Sequence, residues 1–268
     1  MVDKNNGNSF VKGALVLGVA AILVKILGAF FRIPLGNFIG DEGIGYYQAA
    51  YPFYTSLVVV STAGLPAAIA KMVSERVAVG NKSGAHKVFK VSFILLFVLG
   101  IVSSTILFAG ARFVSNLFSN PNAFYSMLAL APALFFVALM AAFRGYFQGL
   151  QNMMPTAISQ IIESFGRFAI GLYLAYELAK VSLAKAAAGA TFGATAGAFF
   201  GCIMITYLYF KNKEKLDLRD SVRVNEESVK YILKNLMIIA IPITIGASVL
   251  PLMNLIDSGI VIWRLENI

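Results

Sequence analysis

Lys25, Arg144 and Arg167 sit inside stretches of otherwise apolar sequence. A cation at bilayer depth is costly, and it persists where a hydrated or protein-lined cavity uses it. The chemistry open to such groups is recognition of an anion. Lys25 and Arg32 are seven residues apart, which puts them on one helical face with Gly28 between them. Arg32, nearer the outer end of its stretch, can also snorkel to the headgroups. Arg144, Gln148 and Gln151 follow an i, i+4, i+7 spacing towards a span end, where snorkelling is again the competing reading. Gln160, Glu163, Ser164 and Arg167 share a further face, with Glu163 preceding Arg167 in the acid-first order that favours a helical ion pair. Two readings of that pair stay open: mutual neutralisation, or Glu163 positioning Arg167 in an anion site. A third makes Glu163 or Asp257 the carrier of a coupling proton or sodium ion, with Asn254, Asp257 and Ser258 spaced to form a small cation site.

The elements that must position these groups are transmembrane helices. Hydrophobic residues make up 59% of the 268, and the mean hydropathy is +0.78, which excludes an ordinary soluble domain. Apolar runs near 12–34, 46–70, 89–113, 124–148, 155–179, 184–210 and 237–262 are each long enough to span a bilayer. They lack the alternating polar positions of barrel strands, so the fold class is an all-α polytopic membrane protein. The net charge of +9 resides mainly in connecting segments rather than in a nucleic-acid-binding pattern. Segments 71–90 and 211–234 are basic and 35–45 is not, so the positive-inside rule puts the two basic segments and the N-terminus in the cytoplasm. Proline is expected to stop the first helix at Pro34 and to break the second at Pro52 and at Gly64-Leu65-Pro66. Tyr46, Tyr47, Tyr51, Phe53 and Tyr54 suit an interfacial aromatic belt. Gly189, Gly193, Gly197 and Gly201 form a smooth strip four residues apart, a surface for close helix packing. Four units are expected: an N-terminal tail at 1–10, a six-helix lobe at 11–210, a cytoplasmic linker with an amphipathic helix at 211–234, and at 235–268 the first helix of a truncated second lobe.

No catalytic set is evident. Cys202 and His86 are each the single residue of their type, so no disulfide, no cysteine metal site and no histidine–acid cluster is expected, and no cofactor is implied. A polytopic glycosyl- or acyltransferase needs such a cluster. A seven-helix receptor needs an external N-terminus, against the charge bias.

Four segments stand in order along the chain: Lys25-Ile-Leu-Gly-Ala-Phe-Phe-Arg32-Ile-Pro34, Gly43-Ile-Gly-Tyr-Tyr-Gln48, Ala63-Gly-Leu-Pro66 through Glu75, and Gly145-Tyr-Phe-Gln-Gly-Leu-Gln-Asn152-Met-Met-Pro155 followed by Gln160, Glu163 and Arg167. Together they resemble the multidrug/oligosaccharidyl-lipid/polysaccharide flippase superfamily, in its branch of stage V sporulation protein B and MurJ-type lipid II flippases. The resemblance implies two pseudo-symmetric six-helix lobes working by alternating access. It also implies a polyprenyl-pyrophosphate-linked sugar as cargo in the bacterial cytoplasmic membrane, for wall, spore or capsule synthesis. Functional cations on the first helix would fall at Lys25 and Arg32. The chain holds about half the spans of such proteins, so a complementary C-terminal lobe or a second chain is the expected partner, beside membrane lipids. A drug or cation exporter of the same superfamily is the alternative, and it would favour acids over bases in the first lobe.

Overall fold

The computed structural model describes residues 4–117, 120–213 and 227–266, and all of its secondary structure is helical. The elements are α1 (Lys4–Thr62), α2 (Leu65–Ala78), α3 (Lys82–Leu117), α4 (Ala123–Gly149), α5 (Met154–Ala179), α6 (Leu183–Lys213) and α7 (Val229–Glu266).

Two chain reversals define the first part of the fold. α1 contains one non-helical residue, Gly40, with φ 62° and ψ −174°. That conformation is accessible almost only to glycine. The rings of Phe31 and Tyr47 lie 6.2 Å apart across it, whereas a straight helix would hold those residues about 24 Å apart. α1 is therefore a hairpin of two arms. The expected stops are displaced: Pro34 and Pro52 both lie within α1, and the chain turns at Gly40. Where no water competes for freed carbonyls, a membrane helix can absorb a proline, and beside Pro52 the Thr55 hydroxyl donates to the Tyr51 and Pro52 carbonyls at 3.0 Å. The expected break at Gly64 is present, separating α1 from α2, with Pro66 in the first turn of α2.

The second reversal lies in the basic segment 71–90. It is two helix ends joined by a tight turn rather than a loop. Gly80 adopts φ 75°, and the Asn81 amide donates back to the Arg76 carbonyl at 2.8 Å, the pattern that satisfies the last carbonyls of a helix. The Asn81 side chain then accepts from the Gly84 amide at 2.7 Å and starts α3. Arg76 is buried, donates to the Met72 carbonyl and pairs with Glu227 just before α7. Residues 214–226, most of the expected linker helix, lie outside the described residues. Val229, Ile232, Leu233 and Leu236 belong to α7, and Ile232 and Leu236 are fully enclosed in the core shared with α2, α3, α4 and α6. His86 packs among the rings of Phe89, Tyr146 and Tyr209 in that region.

α5 and α6 meet backbone to backbone along the glycine strip. A Cβ placed on Gly197 would fall 2.2 Å from the Glu163 carbonyl oxygen, and one on Gly193 2.6 Å from that of Arg167. The contacts of Gly201 and Gly189 are looser, with Cβ positions 3.1 Å from the Ser159 carbonyl oxygen and 2.9 Å from the Leu174 carbonyl carbon. In lipid, apolar side chains gain little from packing on each other, so small residues that admit backbone contact hold helices together.

Five helices among the described residues are long and apolar enough to cross a membrane: Lys12–Ala78 with its reversal, Lys82–Asn116, Ala123–Gly149, Leu183–Asn212 and Val229–Asp257. α5 has the length, yet it carries Glu163, Arg167 and Glu177. Large apolar side chains such as Phe30, Ile33, Phe113 and Leu250 point outward. The chain is a multi-pass membrane protein.

Replacing Gly197 with valine should cost about 1–3 kcal/mol through overpacking and lower the thermal midpoint in detergent. Gly110→Ala on α3, where a Cβ meets open space, should leave the midpoint unchanged. Equal effects would show that the α5–α6 contact is not what holds the bundle.

Candidate functional site

The strip on α6 presses the α5 backbone inward and leaves one face of α5 turned towards α4 and the α1 hairpin. On that face Glu163 receives two guanidinium groups. Arg144 of α4 donates from Nη2 to Glu163 Oε2 at 2.9 Å and from Nε to Ser159 Oγ at 3.1 Å. The Ser159 hydroxyl in turn donates a hydrogen bond to the Thr156 carbonyl at 2.8 Å. Arg167 places Nη2 3.5 Å from Glu163 Oε1 and donates from Nη1 to the Tyr51 hydroxyl at 2.9 Å. The Arg167 Nε is enclosed and has no acceptor. The side chains of Arg144 and Glu163 are 16% and 14% exposed, and that of Arg167 is 32% exposed. Two cations on one carboxylate leave a surplus positive charge, and it sits on the more accessible guanidinium.

Arg167 lines a cavity of about 1060 Å³ between the α1 hairpin, α5 and α7. Among the described residues, the other charged groups on its wall are Arg32 and Asp257, and the polar lining includes Gln48, Tyr51, Thr55, Asn120, Ser164 and Asn254. The cations exceed the acid, so the space suits an anionic group, with Asn254 and Asp257 together on the α7 side.

Of the positions singled out from sequence, the fold brings Arg32, Arg167, Asn254 and Asp257 to this cavity. Arg144 and Glu163 stand behind Arg167 rather than in the lining. Lys25 is exposed on the face of α1 that carries Arg32 and lies outside the lining, as does the half-buried Gln160. The side chain of Ser258 lies outside the described residues. Gln151 does not extend the Arg144–Gln148 face: α4 ends at Gly149, and Gln151 takes a left-handed φ of 58°.

Tyr51 is a functional candidate that the sequence reading assigned elsewhere. The aromatic run was expected to form an interfacial belt, yet Tyr47 and Tyr54 are buried in the bundle. Tyr51 stacks on Tyr47 with centroids 5.2 Å apart and meets Arg167. The Tyr46 hydroxyl keeps to the exposed side, donating to Glu42 and accepting from Asn122. The i, i+4, i+7 spacing of Tyr47, Tyr51 and Tyr54 was the available signal, since a belt does not require one helical face.

Tyr51→Phe keeps the ring stack and removes the hydroxyl, so it should cost about 1.5–3 kcal/mol, the scale of a hydrogen bond to a charged group. Tyr46→Phe, at an exposed site, should shift the thermal midpoint much less. Equal shifts would show that the Tyr51–Arg167 bond contributes nothing of its own.

The polysaccharide biosynthesis protein family profile matches residues 10–267. Among curated relatives, all from Bacillus subtilis (strain 168), the membrane protein YabM is 31% identical, covering 92% of this chain and 46% of its own length. Stage V sporulation protein B is 29% identical, with 88% and 46% covered, and the lipid II flippase MurJ is 29% identical, with 94% and 49% covered. The chain thus spans about half the length of the curated relatives it matches. Among solved structures, a MATE protein in its straight conformation superimposes with a TM-score of 0.71 at 16% identity, covering 89% of this chain and 52% of that one. A MOP superfamily transporter from Pyrococcus furiosus gives 0.67 at 17%, with 87% and 52% covered. The fold is therefore that of one six-helix lobe of such a transporter plus a seventh helix, and the chain belongs to the polysaccharide biosynthesis protein family.

Proposed function

We propose that this chain forms the N-terminal lobe of a flippase that carries a polyprenyl-pyrophosphate-linked sugar across the bacterial cytoplasmic membrane by alternating access. The observation that carries this reading is the cavity wall, where Arg32 and Arg167 outnumber the one carboxylate among the described lining residues, Asp257. Guanidinium groups bind phosphate through paired, charge-assisted hydrogen bonds. Similarity to the lipid II flippase MurJ and to stage V sporulation protein B supports a lipid-linked saccharide as the cargo class. In this reading residues 11–210 are the lobe, 211–234 the linker and 235–268 the start of a second lobe, with the N-terminus in the cytoplasm. Lys25, exposed beside Arg32 at span depth, serves the anion's entry. No bond of the cargo is made or broken, so no catalytic group is assigned.

Both oxygens of Glu163 are engaged by guanidinium groups, which leaves Asp257, with Asn254 beside it, as the better placed carrier of a coupling proton or sodium ion. The same two residues favour the second reading, a cation or drug exporter, in which Asp257 would hold the cargo.

In a full-length protein containing this chain, Arg167→Ala or Arg32→Ala should reduce flipping of a pyrophosphate-linked lipid in vesicles by about 10- to 100-fold, the worth of a charge-assisted hydrogen bond. Asp257→Asn should abolish the response to an imposed proton or sodium gradient. Unimpaired flipping in both arginine variants, together with cation efflux lost in Asp257→Asn, would replace the flippase reading with the exporter.

A further inference from the structure

We infer that Arg144, which does not line the cavity, sets the cavity's affinity for anions by occupying Glu163. This inference rests on the anion reading of the cavity. Its basis is the unequal sharing of one carboxylate. Glu163 Oε2 accepts from Arg144 at 2.9 Å, while the nearest approach of Arg167 to Oε1 is 3.5 Å, beyond a well-formed charge-assisted bond. Arg144 is in turn fixed by Ser159, which is buried and anchored to the Thr156 carbonyl. The carboxylate is thus drawn towards α4, away from the cavity.

Arg167 is left with one bond to Tyr51, a distant carboxylate oxygen and an unpartnered Nε. A guanidinium offers five N–H donors in a fixed fork, so each Nη keeps an N–H that neither Tyr51 nor Glu163 takes up. Without Arg144, Glu163 would have Arg167 as its remaining cation. Arg167 follows it by four residues on the same helix, a spacing that allows a close ion pair. The carboxylate would then neutralise the cation that faces the cavity and compete with any phosphate for its donors. Arg144 acts as a positioning residue, working through Glu163 on a charge it does not touch.

The test is binding of inorganic pyrophosphate to the 268-residue chain in lipid nanodiscs, by calorimetry, for the wild type, Arg144→Gln, Glu163→Gln and the double variant. Arg144→Gln should weaken binding by about tenfold, within the range of coupling energies in one ion-pair network. Glu163→Gln should bind at least as tightly as the wild type. The double variant should recover what Arg144→Gln loses, because no carboxylate remains to capture Arg167. A purely structural brace predicts the opposite: both single variants weakened and the double variant weaker still. That pattern, or an Arg144→Gln variant that binds like the wild type, overturns the inference and leaves the anion site standing. A wild-type chain that binds no pyrophosphate overturns the anion reading and this inference with it.

Discussion

Three ionised side chains from two helices share an enclosure that water reaches poorly, and the arrangement around Glu163 follows from making that tolerable. Removing a charge from water is expensive, and an ion pair repays the cost only when geometry and further hydrogen bonds satisfy both partners. Here one carboxylate answers two guanidinium groups, a serine hydroxyl supports the first and a tyrosine hydroxyl the second. The network ties α4 to α5 through Arg144, and α5 to the second arm of α1 through Tyr51. It leaves a surplus positive charge, and the fold directs that charge at the cavity.

The network depends on the backbone contact between α5 and α6. Gly193 and Gly197 let the α6 backbone rest against the carbonyls of Arg167 and Glu163. That side of α5 is thereby covered by backbone, and Glu163 and Arg167 turn towards α4 and α1. Gly145 and Gly149 give α4 the same close seat on α2, with Cβ positions 2.8 Å from the Pro66 carbonyl oxygen and 2.8 Å from that of Ala70. Small residues thus do in lipid what large apolar residues do in a soluble core, because the gain there is contact rather than escape from water. α7 is held to α1 and its exit by polar bonds, from Ser56 to the Pro251 carbonyl at 3.2 Å and from the Gly64 amide to Thr244 Oγ1 at 3.1 Å.

Much of this was legible residue by residue. Apolar run lengths marked every helix apolar enough to cross a membrane, though α5 falls short of that on its charges, and the acid-first spacing of Glu163 and Arg167 marked a helical pair. The misreadings share a cause. Proline rules drawn from soluble helices predicted stops at Pro34 and Pro52, whereas the chain turned at Gly40, a glycine with no proline beside it. The tyrosines of α1 matched an interfacial composition, but their spacing put them on the face that the hairpin buries. The basic residues at 71–90 looked like a loop because charge, rather than capping by Gly80 and Asn81, dominated the pattern.

The sequence by itself determined a bundle of membrane-crossing helices, its small-residue seams and the presence of cations at depth, because each of these is a property of a single segment and its helical period. Only the tertiary structure decided that Glu163 belongs to Arg144 as well as Arg167, that Tyr51 completes the group, and that Arg32 reaches the cavity while Lys25 stays outside it. Those outcomes depend on which faces of separate helices meet. A charged side chain takes its partner from whatever the packing brings within a few ångströms, and no spacing along one helix encodes that distance.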